Sequence, residues 1–163
     1  MKLCLVRHGE AVERTSQLDD SWRYLTSAGR ESFRTISTKA GKQGLAPDCI
    51  LVSPLVRAVQ TAEILAQVLA YQGPVEVAGE LSPGFDLGGF RKIMERMGDC
   101  RELVLVGHEP DLGILAAQLL GTGDAVHLKK GAVLSLKLDI RNGAASARFR
   151  WLIAGNKVSK ELP

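Results

Sequence analysis

Aromatic residues are scarce in this chain of 163, at 5% of the whole. There is also no run of lysines and arginines, so the aromatic-and-basic pattern of a nucleic-acid surface is missing. Long apolar runs are absent too. A bilayer-crossing helix needs about 20 apolar residues, and no stretch approaches that. The N-terminal run Leu3–Val6 is too short for a signal-peptide core and is broken by Arg7, so no membrane attachment and a cytoplasmic location are expected. Cysteine is sparse and odd in number: Cys4, Cys49 and Cys100. Isolated thiols of this kind exclude a disulfide framework and read as buried residues of a cytoplasmic protein. The histidines are His8, His108 and His127. They stand far apart, without HxxxH or CxxC spacing, so neither a metal site nor a cofactor is expected. No repeat, linker or low-complexity segment divides the chain, and one domain over 1–163 is the simplest reading. The formal net charge of +3 is mildly basic and decides nothing alone.

Against these absences stands a regular alternation of short apolar runs and amphipathic segments. Lys2–Val6 reads as a buried strand that runs directly into Arg7-His8-Gly9. The polar segment Glu10–Tyr24 has no period and reads as a loop over the sheet. Thr26 is placed to cap a helix whose inner face is Gly29, Phe33, Ile36 and Ala40, ended by Gly41 and Gly44. Cys49–Val52 is a second buried strand. Ser53 then reads as the cap of a helix with Pro54 in its first turn and a core face of Leu55, Val59, Ala62, Ala66 and Leu69. Arg57 falls in the opening turns of that helix. Pro74–Val77 is a short third strand, and Glu80 lies in the loop behind it. Phe90, Ile93, Met94 and Met97 mark another helix. Leu103–Val106 is a fourth buried strand, running into Gly107-His108-Glu109-Pro110 and a helix through Leu112, Leu115 and Leu119.

His127, in a polar stretch, reads as a surface residue. Ala132–Leu138 and Ala147–Ile153 flank Arg141-Asn142-Gly143, a hairpin turn signal. In the second of these runs Phe149 and Trp151 alternate with Arg148 and Arg150. From Asn156 onward the chain reads as a frayed tail. The pattern predicts an α/β fold: a three-layer α/β/α sandwich whose mostly parallel central sheet is extended by a C-terminal antiparallel hairpin.

Three strand exits each deliver cationic or potentially cationic side chains: Arg7 with His8, then Arg57, then His108. Parallel strands place their exits along one sheet edge, where α/β proteins bind ligands. Arginine offers a fork of donors suited to phosphate oxygens, and a neutral imidazole beside it is a nucleophile that could take a phosphoryl group. A converging set of this kind is a phosphate pocket with a nucleophile inside it.

Three segments, Leu-Val-Arg-His-Gly-Glu, Ser-Pro-Leu-Val-Arg-Ala-Val-Gln-Thr-Ala and Val-Gly-His-Glu-Pro, resemble the histidine phosphatase superfamily, also called phosphoglycerate mutase-like. Their order and spacing are those of the family. The short chain, the Glu80-Leu81-Ser82-Pro83 loop and the compact C-terminal hairpin look most like its phosphohistidine phosphatase branch. The resemblance implies that His8 is the phosphorylated nucleophile. It implies that Arg7, Arg57 and a charged His108, with Gly9, bind the phosphoryl group. A backbone carbonyl accepting from the other nitrogen of His8 would fix its tautomer. Glu80 is the position that matches the family's general acid, with Glu10 a second candidate. The mutases carry an asparagine where this chain has Arg14, and longer insertions that this chain lacks.

The expected activity is metal-free hydrolysis of phosphohistidine on a protein, such as a phosphotransfer domain, through a phospho-His8 intermediate. A phosphatase of small phosphate monoesters and a non-catalytic phosphate-binding module are the alternatives. Neither nucleic acid nor membrane is expected as a partner, and the oligomeric state is left open.

Overall fold

The computed structural model describes residues 1–97, 99–141 and 143–162. Seven strands form a single sheet: β1 (Lys2–Arg7), β2 (Cys49–Val52), β3 (Val75–Val77), β4 (Glu102–Gly107), β5 (Val133–Arg141), β6 (Ala144–Ala154) and β7 (Lys157–Ser159). Their spatial order is β3-β2-β4-β1-β5-β6-β7. The first four are mutually parallel, and β5, β6 and β7 continue the sheet by antiparallel pairing. The helices are α1 (Ser27–Lys42), α2 (Val56–Val68), α3 (Leu87–Arg96) and α4 (Asp111–Leu120). The α/β/α sandwich is as expected. The stretch after Asn156, however, is no frayed tail: Lys157–Ser159 pairs with Leu152–Ala154 as the edge strand.

Side chains alternate across a strand, so each central strand feeds two cores. Leu3 and Leu5 of β1, with Leu103 and Leu105 of β4, pack under Phe90 and Ile93 of α3 and Leu112, Leu115 and Leu119 of α4. Cys4, Val6, Val104 and Val106 point the other way, onto Phe33 and Ile36 of α1 and Ala58, Ala62 and Leu65 of α2. Burial on both faces explains why these strands read as continuous apolar runs. Each fully buried leucine or valine contributes about 1.5–3 kcal/mol relative to exposure.

The last strands depart from strict alternation. Ser135 pairs with Trp151 and Leu136 with Phe149, which leaves Arg150 as the extra residue of a bulge. Phe149 therefore packs in the α3/α4 core while Trp151 packs in the α1/α2 core. The Arg150 guanidinium donates to the Ser135 hydroxyl at 2.9 Å. Asn142, the centre of the turn signal, lies outside the described residues; Arg141 and Ala144 pair on either side of it.

Local signals explain the helix ends. The Thr26 hydroxyl accepts from Gly29 N–H and caps α1. At the other end Gly44, with φ of 81°, lets its own N–H reach the Gly41 carbonyl and that of Leu45 reach Ala40. This is the Schellman arrangement, which needs a left-handed residue. The α2 phase differs from the expected one. Arg57, Ala58, Thr61, Ala62, Ile64 and Leu65 are its buried residues, while Val59, Ala66 and Leu69 flank them. A buried arginine and threonine displace the apolar face, and both serve the site described next.

Candidate active site

Strand register sets the site. Arg7 pairs with Gly107, and Val52 with Val106, so the exits of β1, β2 and β4 lie level. The next residues along are His8, Ser53 and His108. His8 N–H donates to the Gly107 carbonyl at 3.1 Å, and Ser53 N–H to that of Val106 at 3.0 Å, which carries the alignment past the strand ends. The rings of His8 and His108 lie with centroids 5.2 Å apart.

His8 is buried, and its Nδ1 lies 2.7 Å from the Gly9 carbonyl oxygen. A carbonyl only accepts, so Nδ1 carries the proton and a neutral ring is unprotonated at Nε2. Arg57, on the first turn of α2, donates its Nε–H to that Nε2 at 3.3 Å. Burial lowers the His8 pKa from 6.5 to about 4, against the Gly9 hydrogen bond and with help from Arg57 and Arg7. His8 is therefore neutral near pH 7. Burial, with His8 and Arg57 beside it, likewise lowers His108 to about 3. The expectation of a charged His108 gives way to a neutral one in the free protein, because burial among cations disfavours a further charge.

Gly9 differs from its expected role. Its N–H donates to the Thr61 hydroxyl at 3.0 Å and is not free for a phosphate. Gly9 acts instead through its carbonyl, which orients His8. Arg7 is held by the Leu128 carbonyl, which accepts from one terminal nitrogen at 2.8 Å. Its buried Nε has no partner among the described residues. Nor does Ser53 cap α2. The residue before that helix is Leu55, with no side-chain cap, and the Ser53 hydroxyl lies 2.7 Å from Nε2 of His108.

Glu80 is bound up in an ion pair of its own. Its carboxylate is gripped by both terminal nitrogens of Arg96, at 2.5 and 3.1 Å, which lowers its pKa to about 2. It shares no hydrogen bond with His8, Arg57 or His108 among the described residues, and an ionised carboxylate has no proton to give. A proton donor at Glu80, as the family resemblance implies, is disfavoured in the free protein because the Arg96 guanidinium holds the carboxylate ionised. Glu10 faces Lys130 at 3.7 Å on the surface.

Sequence reasoning missed Asp20. The segment Glu10–Tyr24 does cross the sheet edge, and a 3₁₀ turn at Asp20–Trp22 brings Asp20 onto Arg57. Arg57 donates to the Asp20 carbonyl at 2.6 Å and to its carboxylate at 3.0 Å. Arg14 and Arg23 each donate to the same carboxylate at 2.9 Å. Burial opposes ionisation there, but the hydrogen bonds of Arg23 and Arg57 outweigh it and hold the group far below the usual carboxylate range. The available signal was the Asp20–Arg23 spacing of three within a capped turn. Trp22 and Tyr24, exposed at 66% and 51%, flank this turn. Among the described residues, no group of three or more His, Cys, Asp or Glu side chains is placed to hold a metal, and no helix is long and apolar enough to cross a membrane.

The profile of the histidine phosphatase superfamily (branch 1) matches residues 3–82. An uncharacterized protein of Picosynechococcus sp. is 40% identical over 150 residues, covering 89% of this chain and 87% of its own. The phosphohistidine phosphatase SixA of Escherichia coli is 28% identical over 153 residues, covering 93% and 92%. The structure of the protein histidine phosphatase SixA complexed with tungstate superposes with a TM-score of 0.84 at 27% identity, over 95% of this chain and 97% of that one. The chain belongs to the histidine phosphatase superfamily. Within it the chain resembles SixA, and the family and the superposition support a phosphatase.

Proposed function

We propose that this protein is a phosphohistidine phosphatase acting on a protein substrate through a phospho-His8 intermediate. The observation that carries the reading is His8 itself. Its Nδ1–H is tied to the Gly9 carbonyl, and its Nε2 is unprotonated beside the Arg57 guanidinium. Phosphoryl transfer asks for an in-line nucleophile and for charge on the equatorial oxygens. Nε2 of His8 attacks phosphorus while the substrate's P–N bond breaks. The departing imidazole keeps that electron pair and takes a proton from solvent water. Water then attacks phospho-His8, the new P–N bond breaks, inorganic phosphate leaves, and Nε2 is restored. Arg7, Arg57 and His108 donate to the phosphoryl oxygens throughout, a preorganised set that needs no metal. The SixA structure is a complex with tungstate, a tetrahedral oxyanion of similar shape to phosphate, which supports oxyanion binding by a protein of this fold.

The state of Glu80 supports an imidazole over an alkoxide leaving group. An alkoxide needs a positioned acid, worth about 10²–10⁴-fold, and Glu80 is ionised by Arg96. Imidazole departs once it is protonated. Exposed Arg14, paired with Asp20, and exposed Trp22 and Tyr24 share the loop that reaches Arg57, and they would give the site a rim suited to an acidic protein surface. The test is kcat/KM on a phosphohistidine-bearing protein against a panel of sugar and glycerate phosphates, at low and high salt, with and without chelator. The phosphoprotein should be preferred, lose association rate with salt and be indifferent to chelation. A small ester turned over more efficiently at both salts, or a divalent ion that restores activity lost to chelation, contradicts the reading.

A further inference from the structure

Of the three groups proposed to hold the phosphoryl oxygens, two are arginines and donate in any state. His108 differs, because a neutral imidazole has one N–H and two places to carry it. If the proton sat on the wrong nitrogen, a lone pair would face a dianion.

The surroundings of His108 decide between the two. Nε2 lies 2.7 Å from the Ser53 hydroxyl oxygen. Ser53 is fully buried and His108 is 5% exposed, so water competes little for this bond. The same hydroxyl oxygen accepts the Leu55 N–H at 3.4 Å. Its hydrogen is left to donate, and Nε2 is its acceptor among the described residues. With Nε2 accepting, the ring proton is on Nδ1. That atom is buried and has no partner among the described residues. A buried donor without an acceptor is costly, and a bound phosphoryl oxygen would relieve the cost. The opposite tautomer would strand the hydroxyl hydrogen of Ser53 and leave a bare lone pair at Nδ1.

We infer that Ser53 is a positioning residue: its hydroxyl donates to Nε2 of His108 and keeps the proton on Nδ1, so that a neutral His108 can donate it to a phosphoryl oxygen. The inference takes its purpose from the phosphatase reading, whereas its geometry stands independently. It accounts for how an uncharged histidine serves an anion site. It also explains a serine at the exit of β2, where no helix is capped. Level strand ends place Ser53 beside Gly107, so its side chain reaches the residue after Gly107.

The test reads the ring directly. Long-range ¹H–¹⁵N correlation on the ¹⁵N-histidine-labelled protein at neutral pH should show His108 protonated at Nδ1 and bare at Nε2. An Nε2–H pattern, or a doubly protonated ring, overturns the inference. Ser53→Ala should move His108 toward Nε2–H, weaken orthophosphate binding about tenfold or more and lower kcat/KM. Ser53→Thr, which keeps the hydroxyl, should restore both to within a few-fold. A Ser53→Ala variant whose ring pattern, orthophosphate binding and kcat/KM all match the wild type also overturns it. The wild-type spectrum needs no variant to fold. An Nδ1–H pattern in a protein inert toward phosphohistidine would uphold the inference and refute the proposed function instead.

Discussion

His8 and His108 are buried neutral imidazoles, and that state has a pH signature. In the unfolded chain both take up a proton below about pH 6.5; in the folded protein they do so only near 4 and 3. Between 6.5 and 3 the unfolded state binds more protons, so their contribution to stability is complete above 6.5 and is lost as the pH falls through that window. The denaturation midpoint should drop steadily from pH 6.5 to 4, and His8→Gln should flatten part of the slope. A midpoint unchanged over that range would mean the rings are not buried as described. The same ionisation limits activity. With the substrate's own titration divided out, kcat/KM should hold well below pH 6 and fail near 4. Asp20 offers a second test. Its carbonyl and carboxylate tie two nitrogens of Arg57 while the Nε–H faces His8. Asp20→Ala frees that guanidinium to wander, so kcat/KM should fall about tenfold or more, in keeping with the cost of misplaced groups. A lower KM in the variant would instead mark Asp20 as a competitor for the phosphate.

At the scale of elements, the loop over the site is anchored at its base. The Glu10 carbonyl accepts from Thr26 N–H at 3.0 Å, and Gln60 of α2 accepts from Leu25 N–H at 2.8 Å. Gly29 of α1 sits so close to Glu10 that an added Cβ would overlap its carbonyl oxygen. Gly29→Ala should therefore push α1 and the loop start apart, lowering Tm by several degrees and raising KM more than it lowers kcat. An unchanged Tm and KM would show that the contact gives way freely. Legibility follows the same divide between local and distant causes. The buried strands were readable because both of their faces are apolar. The α1 cap and end were readable because Thr26, Gly41 and Gly44 are local signals. The α2 phase was not, because Arg57 and Thr61 are buried for the sake of His8 and Gly9. The bulge at Arg150 and the pairing of β7 depend on partners across the sheet. For the site, strand exits singled out Arg7, His8, Arg57 and His108. Nothing local could tell that the Ser53 hydroxyl goes to a histidine 55 residues on, or that Arg96 pairs with Glu80 and keeps it ionised.

Across the molecule, the parallel half of the sheet does one thing for function: it brings residues from three distant segments to a common edge. Chain separation between Arg7, Arg57 and His108 is cancelled by the register of β1, β2 and β4. The antiparallel half closes the second flank of the core and supplies the Leu128 carbonyl only through the connection that leads into it. The whole arrangement converges on one atom, Nε2 of His8. The most direct measurement is therefore rapid-quench transfer from a protein carrying ³²P-phosphohistidine, with the site of the label mapped on this chain. Transient acid-labile label should appear on His8 in the wild-type protein, with no label and no turnover in His8→Ala. Turnover near wild type in His8→Ala, or phosphate released with no label ever passing through His8, would contradict it.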